Sequence, residues 1–174
     1  MNAEEIVELL QYRRHDLVND MQIIHGYVSM DMLDRAQEKV EEFLRKTEQE
    51  RKLYMLKAPL FTICIEKFRM HQEIFTLTYD IHEMIELQDY DECLTKICNT
   101  LLEIITTHFN HEHMHVLQID IGTKGEQHGY VQITVDSIHS RLYDEIEEQL
   151  TGNNYPNLVV TYLENKVTCM VQID

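Results

Sequence analysis

The 174-residue sequence lacks the features that mark proteins of membranes, nucleic acids or the secretory route. No apolar run approaches the roughly 20 residues that span a bilayer. The acidic start, Met1–Glu5, does not resemble a signal peptide. Basic residues are scarce, 15 against 31 acidic ones, which gives a net charge of -16. Because binding to a phosphate backbone needs a basic surface, we do not expect binding to nucleic acid. Without a membrane segment or a signal peptide, we expect a cytoplasmic protein that does not bind membranes.

Cysteine is also sparse, and its spacing excludes the usual metal and redox motifs. The four cysteines form no C-x-x-C pair and lie within apolar patterns: Cys64, Cys93, Cys98 and Cys169. This arrangement predicts reduced thiols packed in a core, and neither a disulfide framework nor a zinc site.

Recognisable nucleotide-binding motifs are missing as well. The sequence contains no G-x-G-x-x-G, no Walker-type loop and no protein-kinase signature, so it shows no means of holding ATP. The nearest approach is Asp120–Gly125 (Asp-Ile-Gly-Thr-Lys-Gly). This segment lies between two predicted strands, and we interpret it as a hairpin loop.

One histidine-rich segment raises the question of a transition metal. Its histidines are His108, His111, His113 and His115, with Glu112 among them. They straddle a predicted helix end, a loop and a strand start, and no cysteine or aspartate completes a familiar ligand set. We expect structural or solvated roles for them and no metal site, although the sequence leaves metal binding open.

Residues 1–58 show the pattern of an αα-hairpin. A helix is expected from about Ala3 to Met30, and a second helix follows a turn near Asp31–Asp34, with Asp34 as a possible cap, and stops before Pro59. On the first helix, apolar residues recur at heptad spacing: Val7, Leu10, Leu17, Met21, Ile24 and Val28. Two helices cannot enclose these apolar stripes, so the pattern predicts a homodimer in which two hairpins form a four-helix bundle.

Residues 59–174 have a mixed pattern and a different charge. They hold 19 acidic and 6 basic residues, net -13, whereas residues 1–58 hold 12 and 9, net -3. Periodicity and alternation predict helices near 60–71, 89–108 and 137–150, and strands near 74–81, 114–121, 130–136, 157–163 and 167–173. One sheet backed by helices on one face is the simplest assembly, so we expect an α+β protein with domains 1–58 and 59–174.

A polar interruption of the first helix is the strongest functional signal. His15 falls just off the heptad seam and is predicted to be exposed. The same helix face continues with Asn19, Gln22, Ile23 and Gly26, since spacings of four, seven, eight and eleven return to one side of a helix. A solvated surface histidine is the common alternative.

Two further observations make this face a candidate docking surface around a reactive imidazole. Arg14 occupies a seam position, and Val18 and Ile23 leave apolar surface beside the polar residues. Folding the hairpin about residue 33 places His15 level with the polar stretch Glu48–Lys52. From this we expect Arg14 to pair with Glu48 or Glu50 across the seam.

The segment Arg14-His15-Asp16-x-x-Asn19-x-x-Gln22-Ile23-x-x-Gly26, on the first helix of a hairpin that precedes an α/β domain, resembles the sporulation initiation phosphotransferase B family. Sensor histidine kinases are its more distant relatives. The resemblance implies a four-helix bundle with a phosphorylated histidine and a C-terminal α/β sandwich like a degenerate histidine-kinase ATPase domain. Because the asparagine and glycine boxes of active kinases are missing, it implies a phosphotransferase.

Carried onto this sequence, the resemblance implies that His15 takes a phosphoryl group from the aspartate of one response regulator and passes it to another during initiation of sporulation. Asp16 would orient or polarise the imidazole, Asn19 would hydrogen-bond the phosphoryl group or partner, and Arg14 would steer the regulator. Gln22, Ile23, Gly26 and Val18 would form the docking surface. Magnesium would be bound to the regulator. The alternatives are a non-catalytic dimeric scaffold and an ATP-dependent relative of sensor kinases.

Overall fold

The computed structural model describes residues 3–70, 75–108, 115–124, 128–136, 138, 140–152, 155 and 157–173. The helices are α1 (Ala3–Ser29), α2 (Leu33–Tyr54), α3 (Pro59–Met70), α4 (Asp91–Thr107) and α5 (Ser140–Gly152), with a short 3-10 turn at Gln88–Tyr90. The strands are β1 (Phe75–Ile81), β2 (His115–Lys124), β3 (His128–Val135), β4 (Leu158–Leu163) and β5 (Lys166–Ile173). The expected α+β class is confirmed.

The chain divides into two compact units, Met1–Arg51 and Lys52–Asp174. The boundary lies seven residues before the one expected from the sequence, because the end of α2 belongs to the second unit. Leu53, near the end of α2, and Leu56, just after it, are buried in the core of the second unit. The Lys52 ammonium donates a hydrogen bond to the carbonyl oxygen of Ile81 at 2.7 Å.

The first unit is the predicted αα-hairpin. Its turn contains Asp31, whose φ of 58° is in the left-handed region. The side chain of Asp34 was expected to cap α2, but the helix begins at Leu33, so Asp34 lies inside its first turn. A carboxylate there still favours the helix, because it faces the positive end of the helix dipole.

The second unit is a five-stranded sheet in the order β1-β2-β3-β5-β4, in which only β1 and β2 run parallel. One face of the sheet is covered by helices: α3 packs on β1 and α4, and α5 packs on α4 and β4. Alternate strand residues are buried on this face: Leu117, Ile119, Ile121, Val131, Ile133, Val135, Val167, Cys169 and Val171. The residues between them point to the opposite face and are half-buried or exposed.

Local chemistry fixes the ends of these elements. α3 starts at Pro59, and the buried carboxylate of Asp91 accepts the backbone N–H groups of Leu60 and Phe61 at 3.1 and 2.7 Å. Helix starts leave such groups without a partner in the helix, and a carboxylate satisfies them. β4 and β5 are joined by Glu164 and Asn165, both at positive φ, as a two-residue hairpin turn requires.

The interpretation of Asp120–Gly125 as a loop was wrong for the residues that the structure describes. Residues 120–124 continue β2, and the ladder with β3 extends to the pair Lys124 and His128. Gly125 lies outside the described residues. Glycine at position 122 suggested a turn, but the cross-strand pairing with Tyr130 holds it in the sheet.

The four cysteines are free, as expected, and Cys64, Cys98 and Cys169 are buried in the core. Burial raises the pKa of the Cys169 thiol to about 12. No helix in the described parts of the chain is long and apolar enough to cross a membrane.

Candidate functional site

His15 lies in the middle of α1 with its side chain exposed, as predicted. One turn later, the side-chain amide nitrogen of Asn19 lies 3.2 Å from His15 Nδ1. Among the described residues, no hydrogen-bond partner contacts the other ring nitrogen, Nε2. Nδ1 is thereby held by the protein while Nε2 stays open to a partner.

The contact with Asn19 controls which ring nitrogen carries the proton. When the amide N–H donates to Nδ1, the neutral ring carries its proton on Nε2. When the amide is turned over, Nδ1–H donates to the Asn19 carbonyl oxygen and Nε2 keeps a free lone pair. A hydrogen bond on one nitrogen sets the role of the other, so Asn19 can prepare Nε2 as a nucleophile.

The remaining residues of the predicted face are also accessible. Gln22 is exposed, and Val18 and Ile23 keep 42% and 44% of their surface. Gly26 is half-buried, yet a Cβ atom built on it would meet no atom within 4 Å. The face therefore leaves room for another protein to approach the helix closely near Gly26.

Asp16 and Arg14 flank His15 but differ in environment. Asp16 is half-buried and takes part in at least one polar or electrostatic interaction. Arg14 is exposed, and the described residues offer its side chain no ion pair or hydrogen bond. Each helix position is rotated about 100° from the one before, so Arg14 and Asp16, two positions apart, point to nearly opposite sides of α1.

The expected pairing of Arg14 with Glu48 or Glu50 was wrong: the cation paired with Glu50 is Arg13. Its guanidinium donates two hydrogen bonds, of 2.8 and 2.7 Å, to the two carboxylate oxygens. Glu48 instead accepts from Arg51 on its own helix. The turn is centred near Asp31 and not on residue 33, which brings position 50 opposite position 13.

A second group of charges crosses the hairpin on the other side of His15. The carboxylate of Asp20 lies 3.4 Å from the Lys39 ammonium and 3.6 Å from that of Lys46. A hydrogen bond to Glu42 is the main cause that raises the pKa of Lys39, and Asp20 adds to the effect. The Arg13 and Asp20 pairs thus bracket His15 and fix the rotation of α1 about its axis. Neither pair was predicted from the sequence.

The predicted heptad seam does not line the contact between α1 and α2. Five of its residues are exposed, by 42 to 63%: Val7, Leu10, Leu17, Met21 and Val28. Only Ile24 is half-buried, and no residue of α1 is fully buried. One hairpin therefore leaves a long apolar stripe uncovered, which is unusual for an isolated chain.

The histidine-rich segment has structural contacts where it is described. At the end of α4, His108 Nδ1 lies 3.0 Å from the carbonyl oxygen of Ile104. His115 is buried, with Nδ1 at 3.0 Å from the carbonyl oxygen of Asp136. His111, Glu112 and His113 lie outside the described residues. No group of three potential metal ligands occurs among the residues that are described.

Residues 1–56 match the family model described as "Sensor kinase SpoOB-type, alpha-helical domain". Over 122 residues, or 70% of this chain, the sequence is 30% identical to the sporulation initiation phosphotransferase B of Bacillus subtilis (strain 168). The resemblance to the sporulation initiation phosphotransferase B family is confirmed. The match spans 64% of the length of that relative. The segment that matches this family model, residues 1–56, contains His15, Asn19 and all other residues of the predicted site.

Two solved structures are also similar to this chain. The blue-light activated histidine kinase of Erythrobacter litoralis EL346 is 16% identical, with a TM-score of 0.44 over 99% of this chain and 60% of that chain. A structure of its histidine kinase domain is 15% identical, with a TM-score of 0.45 over 82% and 84% of the two chains.

Proposed function

We propose that this chain is a phosphorelay phosphotransferase that moves a phosphoryl group between the aspartates of two response regulators through His15, in the initiation of sporulation. The observation that carries the proposal is the exposed His15 imidazole, whose Nδ1 is held by Asn19 while Nε2 is open. The similarity to a protein named sporulation initiation phosphotransferase B supports the class of reaction.

In the proposed first step, the lone pair on His15 Nε2 attacks the phosphorus of an aspartyl phosphate. A P–N bond forms, the P–O bond to the aspartate breaks, and the aspartate leaves as a carboxylate. The ring gains positive charge. With the Asn19 amide turned over, its carbonyl oxygen accepts a hydrogen bond from Nδ1–H and stabilises that charge. The second step is the reverse reaction on another regulator. Such transfers depend mainly on positioning and charge neutralisation, and magnesium bound to the regulator would supply the latter.

The other residues of the site would have supporting roles. Exposed Arg14 would attract the acidic phosphorylated pocket of the regulator, and Asp16 would restrain the helix next to the imidazole. Gln22, Ile23, Gly26 and Val18 would form the surface on which the regulator docks. We propose that the reaction takes place in the cytoplasm.

We further propose that the active species is a homodimer. The exposed heptad stripe of α1 matches an identical stripe on a second hairpin, and joining them would bury both in a four-helix bundle. Burial of a large aliphatic side chain contributes about 1.5–3 kcal/mol, so five such positions favour association strongly.

A transfer assay without ATP tests the function. A receiver domain labelled with radioactive acetyl phosphate, freed of the small donor, is mixed with the full chain. We expect acid-labile, base-stable label on the chain, no label in His15→Gln, and normal labelling in His25→Gln, which changes another exposed histidine of the same helix. Labelled His15→Gln or an unlabelled wild-type chain would contradict the proposal.

The same assay separates the alternatives. A non-catalytic scaffold would bind the receiver domain and stay unlabelled. A sensor-kinase relative would become labelled from ATP alone. We expect no labelling from ATP, because the sequence shows no nucleotide-binding motif.

A further inference from the structure

A groove of about 370 Å³ lies on the sheet of the second unit and takes no part in the proposed phosphotransfer. It is lined by residues of three neighbouring strands: Asp120, Thr123, Tyr130, Gln132 and Met170. Asp120 pairs with Gln132, and Gln132 pairs with Met170, across the strands. These three residues alternate with the buried residues, so their side chains belong to the face opposite the helices.

A glycine shapes the wall of this groove. Gly122 pairs with Tyr130, and a Cβ on Gly122 would lie 3.2 Å from the Tyr130 hydroxyl and 3.3 Å from ring atom Cε1. The phenol ring of Tyr130 therefore lies against the backbone of β2, in the space that the side chain of any other residue at position 122 would fill. This contact restricts the ring and leaves its other side toward the groove.

The carboxylate of Asp120 lines the groove, and the carboxylate of Glu83 lies beside it. Asp120 is 21% exposed and accepts hydrogen bonds from His82 Nε2 at 2.7 Å and from the Gln118 amide at 3.0 Å. Glu83 accepts a hydrogen bond from Thr123 at the rim. Burial is the main cause that raises the pKa of Tyr130, followed by the charges of Asp120, Asp80 and Glu83. Asp120 is the charged side chain among those that line the groove, so the lining carries negative charge.

Asp120 retains the capacity to bind a ligand. An ionised carboxylate has about four acceptor sites, and the described residues use two of them on Asp120. A carboxylate beside an aromatic ring is the arrangement that recognises organic cations: the carboxylate pairs with the charge, and the ring face attracts it. Gln132 adds a side-chain amide, and Met170 adds a polarisable apolar wall.

We propose that this groove binds a small organic cation, a guanidinium or a primary amine, with its charged group at Asp120 and its flat or aliphatic part on the ring of Tyr130. The size of the groove suits a ligand of this kind, since small-molecule sites begin at about 300 Å³. The site lies outside the segment that matches the family model, and it does not depend on the chemistry of His15.

Titration of the full isotope-labelled chain with agmatine, followed by NMR, tests the proposal. We expect saturable shifts centred on Gly122, Tyr130 and Gln132, with a dissociation constant of about 1 mM or lower. Asp120→Asn should weaken binding at least about tenfold, and Tyr130→Leu about two- to fivefold, while Tyr130→Phe keeps the ring and the affinity. Gly122→Ala should weaken binding by displacing the ring, and it tests the groove without removing a charge.

The control is Glu148→Gln, which removes the same charge from an exposed position of α5. If it weakens binding as much as Asp120→Asn, or if no shift saturates, the proposal is overturned. A blocked pentapeptide with a single arginine identifies the source of the cation. Tighter binding of the peptide would assign the groove to a protein side chain, and tighter binding of agmatine to a free metabolite. If neither agmatine nor the peptide binds, the proposal is overturned.

Discussion

Arg13 and Glu50 form a two-pronged ion pair across the hairpin, with N–O distances of 2.8 and 2.7 Å, and their side chains are only 23% and 15% exposed. Arg13 lies two residues before His15, on a different side of α1. A pair of this geometry prefers one relative rotation of the two helices. It therefore determines the direction in which His15 is presented.

Disruption of this pair should destabilise the hairpin. We expect Arg13→Gln to lower the free energy of unfolding by about 1–3 kcal/mol, because it leaves a half-buried carboxylate without its charged donor. A double-mutant cycle with Glu50→Gln, measured by urea denaturation at one protein concentration, should give a coupling energy of about 1 kcal/mol or more. The exposed Arg14→Gln should change stability by less than about 0.5 kcal/mol. If Arg14→Gln lowered the free energy of unfolding as much as Arg13→Gln, the result would instead support the pairing of Arg14 with Glu50 that was expected from the sequence.

The helices of the hairpin were predictable from the sequence, but the partner of Glu50 was not. Periodicity and alternation predicted every helix and strand to within three residues at each described end, because these patterns follow from which side faces the core. The position opposite Arg13 depends on the centre of the turn, and a shift of about two residues, from residue 33 to Asp31, changes which arginine meets Glu50. The exposure of His15 was predictable from a single helix.

The groove on the sheet could not be predicted in the same way. It requires the register of β2, β3 and β5, which pairs Asp120, Gln132 and Met170 from distant parts of the chain. The glycine at position 122 was visible in the sequence, but it pointed equally well to a turn. Only its partner Tyr130 explains why a strand accepts a glycine at that position.

Substitution in the apolar stripe should dissociate the proposed dimer. Leu17 is 48% exposed within one chain, and in a two-fold bundle each substitution acts twice. Leu17→Ala should raise the dimer dissociation constant at least about a hundredfold, which corresponds to about 2.7 kcal/mol. Sedimentation equilibrium measures this. The matched control is Leu163→Ala on β4, where leucine is 73% exposed and outside the stripe. An unchanged dimer in Leu17→Ala would place the interface elsewhere.

Asn19 should act as a positioning residue for His15. Asn19→Ala should slow phosphoryl transfer about ten- to a hundredfold, because the ring loses the side chain that, with its carbonyl oxygen turned toward Nδ1, would hold the proton on that nitrogen. The nitrogen NMR shifts of His15 should also move toward a mixture of tautomers, which a purely structural role would not cause. Gln11→Ala, at the same distance on the other side of His15 and also exposed, should leave both readouts unchanged. Normal transfer in Asn19→Ala would exclude the role.

Alkaline pH should weaken the core through Cys169. The folded state raises its pKa from 9.0 to about 12, so the folded chain holds the thiol proton more tightly than the unfolded chain. This contribution is fully present below pH 9.0 and is lost as pH rises toward about 12. Relative to Cys169→Ala, the wild type should lose about 1–2 kcal/mol between pH 7 and 10. Urea denaturation of both proteins at both pH values measures it, and the half-buried Cys93→Ala should show a smaller change.

Substitutions of Gly26 should distinguish an effect on the stability of α1 from an effect on the docking of the regulator. It lies inside α1 with open space around its Cβ position, so Gly26→Ala should stabilise the chain by about 0.5–1 kcal/mol through helix propensity. We expect Gly26→Leu also to fold, since the space around the Cβ position is open. If the regulator docks closely here, however, the leucine will obstruct it and lower transfer from the receiver domain at least about tenfold, whereas alanine will have a small effect. Transfer that is equally fast in Gly26→Leu would mean that the regulator approaches His15 from another side of the helix.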